Sequence, residues 1–213
     1  MRSAATFAIA ASRARILWPI AVLLTLASAF AGAAIDLLEP MTTRIAANAL
    51  WTSLVAISIA FVNGVATRSD PFAAVEEAAP LFGRQRARAN AILPATIVVL
   101  CTAAQYAGAM WRANGDFTLI PIVIDAAAAL TALPIALSVP LRSAWNALLY
   151  AVFAMAAALL CAAFGSAVGN SSQSDLAAVA ASIGVAVMIG FLTLRQYGET
   201  LARYDPLPLR SLD

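Results

Sequence analysis

Apolar residues run along this chain in long stretches, and the charges are confined almost entirely to the gaps between them. Six stretches can be delimited: Ile16–Leu38, Ala46–Ala66, Ala91–Met110, Phe117–Val139, Ser143–Val168 and Leu176–Leu194. Each comes close to or exceeds the roughly 20 apolar residues that a helix needs to cross a bilayer. Within each stretch the apolar content is nearly continuous on all faces, as expected where lipid replaces water. The pattern predicts an all-α fold, a polytopic integral membrane protein with six transmembrane helices. Residues 1–15 form a basic leader, 16–194 the membrane domain with a longer internal segment at 67–90, and 195–213 a tail.

Charge placement orients these helices. Eleven of the 13 arginines fall before the first stretch, between the second and third, between the fourth and fifth, or after the sixth. Arg44 and Arg112 lie on the opposite side, together with Asp36, Glu39, Asp116 and Asp175. Basic residues are retained on the cytoplasmic side, so the N- and C-termini are both expected there, in a bacterial cytoplasmic (inner) membrane. Arg13, Arg15, the run from Ile16 and Ala27-Ser28-Ala29 together imitate a cleavable signal peptide. The apolar character continues to Leu38, which favours an uncleaved span. Residues 1–15 carry no acid and read either as a short helix lying on the cytoplasmic surface or as a frayed leader.

Composition narrows the function. The chain is 62% apolar and 11% charged with a mean hydropathy of +0.86, against about 45–50% and about 25% in soluble domains. A soluble enzyme or a nucleic-acid reader is excluded. All 13 basic residues are arginine, and lysine and histidine are absent. A phosphate-binding loop with its lysine and a retinal Schiff base are therefore impossible. So are a bis-histidine haem, an H-E-x-x-H zinc site and a Ser–His dyad. No catalytic constellation, metal site or cofactor is expected. Cys101 and Cys161 lie deep in the third and fifth stretches and read as small packing residues.

Asp125 is the sharpest single feature inside the membrane. An isolated carboxylate there is costly, so it is expected to be protonated, partnered or facing water. It reads either as a proton-coupling or cation-binding group, or as a neutral acid bonded to a neighbouring helix through Gln105, Tyr106, Asn63 or a hydroxyl. Asn63, Gln105 and Tyr106 are the other intramembrane polar candidates. An intramembrane aspartyl protease is disfavoured because that chemistry needs two acids. Pro134, nine residues after Asp125, is expected to kink the fourth helix. Trp18, Trp51 and Trp111 fall near the stretch ends and read as headgroup anchors. Gly165-x-x-x-Gly169 is a small-residue motif of the kind that brings helices together, and suggests a dimer.

The one long connection, Thr67–Asn90, lies on the cytoplasmic side. Ser69 or Asp70 can cap a helix there, and Pro71 suits its first position. Phe72, Val75, Ala79 and Phe82 recur at near-helical spacing, with Glu76 and Glu77 off that stripe. Pro80 and Gly83 interrupt it, and Arg84, Arg86 and Arg88 lead into the third stretch. A short acidic amphipathic helix followed by a basic run is expected, suited to docking in a partner's groove.

With Phe72–Ala79 and the run Pro80-Leu81-Phe82-Gly83-Arg84-Gln85-Arg86-Ala87-Arg88-Ala89, the chain resembles the membrane subunits of ABC-2-type exporters. Those permeases have six spans, cytoplasmic termini, an N-terminal interface helix and a coupling helix between spans two and three. They often carry a re-entrant extracellular segment between spans five and six, whereas this chain has only Gly169–Asp175 there. The resemblance implies a permease subunit driven by a separate cytoplasmic ATP-binding subunit. That subunit would push on Phe72–Ala79, and substrate would cross between two permeases in a homodimer or heterodimer. Two other functions fit the residues: a stand-alone transporter coupled to protons through Asp125, and a non-transporting membrane scaffold or assembly factor.

Overall fold

The computed structural model describes residues 2–35, 37–38, 41–69, 83–113, 119–138 and 144–203, with side chains at 15, 17–35, 37–38, 43–66, 91–111, 121–138 and 146–199. Six helices make up nearly all of it: α1 Arg2–Ile35, α2 Met41–Ser69, α3 Gly83–Ala113, α4 Leu119–Ala136, α5 Ala144–Ser172 and α6 Asp175–Arg203. No strand occurs among the described residues. All the helices except α4 hold apolar segments long enough to cross a bilayer, from Leu17–Ile35 in α1 to Asp175–Glu199 in α6. This is the build of a helical membrane protein.

Most of the helices overrun the apolar stretches that announce them. α2 begins at Met41 rather than Ala46, and α5 continues to Ser172, beyond Val168. Hydropathy marks only the part of a helix that lies in hydrocarbon. Backbone hydrogen bonding continues past it for as long as no proline or turn residue intervenes. α1 likewise runs from Arg2 to Ile35 without a break at Ile16, so the backbone of the leader belongs to the same helix as the first apolar stretch. α6 runs to Arg203, nine residues past the end of its apolar stretch at Leu194.

α4 departs from expectation the other way. The apolar stretch Phe117–Val139 predicts a long helix kinked at Pro134, but the helix stops at Ala136 and Pro134 sits in its final turn. Leu137 N–H still reaches the Leu133 carbonyl at 2.8 Å, and Ser138 N–H closes a tighter turn onto Ile135 at 3.1 Å. With 18 residues, α4 is about 27 Å long at 1.5 Å per residue. This shortest helix is the centre of the molecule, packed against α2, α3, α5 and α6. Its buried surface is largely alanine: Ala127, Ala128, Ala129, Ala132 and Ala136.

Large apolar side chains are turned outward instead. Phe30 is 78% exposed, and Leu160 and Phe191 are 67% exposed. Lipid is as apolar as leucine, so nothing drives such side chains inward, and contact between helices rewards residues small enough for backbones to meet. Two pairs of helices exploit this. In α1 and α3, a Cβ at Gly32 would lie 1.7 Å from the Gln105 carbonyl oxygen, and one at Gly108 would lie 1.8 Å from that of Ala29. Each glycine thus rests on the partner's backbone. In α5 and α6, a Cβ at Gly165 would come within 1.9 Å of Ser182 Oγ, and one at Gly169 within 2.8 Å of Ala178 Cβ. The Gly165-x-x-x-Gly169 motif is therefore occupied within the chain, and its glycine face is not a free surface for a second copy.

Only Gln173 and Ser174 separate α5 from α6, which leaves no room for a re-entrant segment between them. Gln173 adopts a left-handed conformation, φ 49°. Ser174 N–H bonds back to the Gly169 carbonyl at 3.3 Å, and Ser174 Oγ accepts from Ala177 N–H at 3.4 Å to cap α6. Glycine is the residue that adopts this conformation without a Cβ penalty. Gln173→Gly is expected to raise stability by about 0.5–1 kcal/mol, measured as a higher midpoint of unfolding in detergent.

Candidate functional site

The side chains that sequence reasoning singles out converge near one level of the bundle. Asp125 lies six residues into α4 and is 3% exposed. Its carboxylate accepts a hydrogen bond from the Tyr106 hydroxyl of α3. The neighbouring Gln105, also buried, points to another helix and donates from Nε2 to Asn48 Oδ1 of α2 at 2.7 Å. Trp51 Nε1 of α2 donates to Ser28 Oγ of α1 at 3.1 Å. These residues sit about six to ten positions from their helix ends, so the tier lies about 10–15 Å below them at 1.5 Å per residue. Four helices are thus joined in sequence by polar bonds in an otherwise apolar interior.

Of the expected partners of Asp125, Tyr106 is the one in place. Gln105 serves the α2 side of the same tier. Asn63 is buried in α2 but lies 15 residues beyond Asn48, about 22 Å along the helix axis, and so belongs to another level. Three members of the tier escape the sequence reading. Asn48 carries the same signal as Asn63, a carboxamide inside an apolar stretch. Ser28 reads as part of an imitation cleavage site. Trp51 reads as a headgroup anchor, but α2 starts five residues early and the indole is carried inward to a neighbouring helix. Trp111, 92% exposed near the end of α3, keeps the position expected of an anchor.

Polar groups elsewhere mostly satisfy their own helix. Thr52, Thr102 and Thr131 hydroxyls donate to carbonyls three or four residues back. Both cysteines are free and buried. Cys161 donates to the Ser182 carbonyl at 3.5 Å, and Cys101 Sγ lies 3.6 Å from Thr25 Oγ1. Gln105 Oε1 and Ser182 Oγ are buried without a hydrogen-bond partner. No group of three or more potential metal-binding side chains occurs among the described residues.

Phe72, Val75, Glu76, Glu77 and Phe82 of the proposed partner-coupling segment lie outside the described residues. Arg84, Arg86 and Arg88 fall in the first turns of α3, their side chains outside the described set. No family model, curated protein or solved structure matches the chain.

Proposed function

We propose that the chain is a permease of the bacterial cytoplasmic membrane, crossing it six times with both termini on the cytoplasmic side. The observation that carries this reading is Asp125, an ionisable side chain enclosed on the central helix and bonded to Tyr106 of another helix. Placing a carboxyl at that depth is costly, and proteins that do so usually use it to handle an ion, a proton or a substrate. A scaffold needs no such group. The orientation rests on the arginine asymmetry. α4 serves as the fourth crossing because four other helices cover it, so a length of about 27 Å is enough.

Two energy sources suit this reading. Without a phosphate-binding loop the chain needs a separate ATP-binding subunit, which would dock on Phe72–Ala79 as in the ABC-2-type exporters it resembles, with a second permease alongside. The Asp125–Tyr106 pair favours the other source, a proton gradient used by the chain on its own.

Purification in mild detergent followed by reconstitution into vesicles tests the proposal. An ATPase that co-purifies, and is lost when Glu76 and Glu77 are both replaced by glutamine, identifies the first source. Transport that follows a pH gradient without ATP, and is lost in Asp125→Asn, identifies the second. Absence of any transport, with or without an ATPase, would sink the permease reading and favour the scaffold.

A further inference from the structure

We propose that α1 and α3 together form a binding site for an anionic phospholipid at their arginine-bearing ends. The two helices run parallel: Thr25 lies beside Cys101, and further along Gly32 and Ala29 meet Gln105 and Gly108. The contact persists toward the other end, where Leu17 of α1 and Pro94 of α3 are both fully buried. This register brings Leu17 level with Leu93 and Arg15 level with Ala91. Both helices continue beyond the apolar segments that start at Leu17 and Ala91, α1 back to Arg2 and α3 back to Gly83. By their places on the two helices, Arg13 and Arg15 therefore share a level with Arg84, Arg86 and Arg88. These arginines fall within about 10 Å of height at 1.5 Å per residue, on packed helices with axes about 8–10 Å apart. Neither helix contains an aspartate or a glutamate.

Retention of basic residues on one side explains which face of the membrane these arginines occupy, but not their concentration on one helix pair. At the same end of the bundle the charge on α6 is offset, since Arg195 Nε donates to Glu199 Oε1 one turn on at 3.2 Å. A phospholipid suits the α1–α3 site better than a protein surface or free phosphate. Arg15 is exposed, and on the next turns α1 turns Trp18, Val22 and Leu26 outward. On α3, Ile92 and Leu100, one and three turns after Arg88, are exposed likewise. The basic groups thus begin where surface of the kind that acyl chains cover ends. Guanidinium groups bind phosphate through paired hydrogen bonds, and basic clusters beside a membrane span attract anionic headgroups. One lipid molecule can satisfy both surfaces, in the cytoplasmic leaflet under the orientation proposed above.

The site needs α1 and α3 to cross the bilayer but does not need the chain to transport anything, so its failure and that of the permease reading are separate. Native mass spectrometry of the full chain in detergent, titrated with phosphatidylglycerol or phosphatidylcholine, is the test. An arginine beside an anionic headgroup strengthens binding about fivefold. With three arginines engaged, the parent should prefer phosphatidylglycerol about 100-fold; equal binding of the two lipids overturns the site without any variant. Arg13→Gln with Arg15→Gln, and separately Arg86→Gln with Arg88→Gln, should each weaken phosphatidylglycerol binding about 20-fold and leave phosphatidylcholine unchanged. If one pair fails to fold, the other still reads the site. Arg195→Gln with Arg203→Gln removes as much positive charge from α6 and should change binding less than about twofold. An equal loss in that pair would show attraction by net charge alone and overturn the site. So would a preference untouched by both the α1 and the α3 pairs. A co-purifying acidic protein that disappears in the Arg86, Arg88 pair, with lipid affinity intact, would also overturn it and assign these arginines to a protein partner.

Discussion

Alanine at Gly32 or Gly108 is expected to prevent the protein from folding in the membrane. The added Cβ would stand 1.7 Å from the Gln105 carbonyl oxygen in one case and 1.8 Å from that of Ala29 in the other. The obstacle is backbone held in a hydrogen-bonded helix, so relief requires α1 and α3 to separate along their whole contact. Overpacking where side chains can adjust costs about 1–3 kcal/mol, and a backbone collision in the most extensively packed helix pair exceeds that range. The measurable outcome is loss of monodisperse protein on size exclusion in detergent.

Glycines elsewhere grade the effect. Gly165→Ala collides chiefly with the Ser182 hydroxyl at 1.9 Å, a short side chain that can rotate, with the Ala178 carbonyl oxygen farther off at 3.3 Å, and should cost about 1–3 kcal/mol. At Gly184 and Gly190 a Cβ would meet nothing within 4 Å, so alanine there should be neutral or mildly stabilising. If Gly32→Ala and Gly184→Ala prove equally tolerated, the α1–α3 packing described above is wrong.

The second large effect is asymmetric. Tyr106→Phe leaves the Asp125 carboxyl buried without its donor, and Asp125→Leu leaves the Tyr106 hydroxyl without its acceptor. Each is expected to lower stability by about 1–2 kcal/mol, since membrane-buried hydrogen bonds are worth less in net terms than the cost of a bare polar group suggests. The double variant removes both partners and should recover most of the loss, because two apolar groups of similar shape need no partner. A denaturation series on the four proteins gives the coupling directly. Additive losses would show that the two side chains do not bear on each other.

How far the site can be read from sequence depends on the kind of signal each residue sends. Asp125 is legible because a carboxyl in an apolar stretch has no inexpensive explanation. Tyr106 and Gln105 are legible as polar groups in a span, but adjacent residues on a helix point about 100° apart, and only the packing of α2 and α4 on either side of α3 decides that they serve different partners. Ser28 and Trp51 are illegible for a different reason. Serine and tryptophan are common near helix ends, and their pairing depends on two helices beginning at particular residues.

The division between the two levels follows from how lipid acts as a solvent. Long apolar stretches predict helices, and the uneven placement of arginine in the gaps predicts a direction for them, because each segment meets the bilayer on its own terms and the cost of a misplaced charge is local. The missing lysine and histidine determine, just as locally, which chemistries are closed to the chain. Lipid does not rank one apolar face above another, so hydropathy says nothing about which helices touch. That choice falls to close contacts between small residues: Gly32 and Gly108 set α1 on α3, Gly165 and Gly169 seat α5 on α6, and the alanines of α4 let the shortest helix take the centre. Only with those contacts made does Asp125 meet Tyr106, and a costly residue gain its partner from a neighbouring helix.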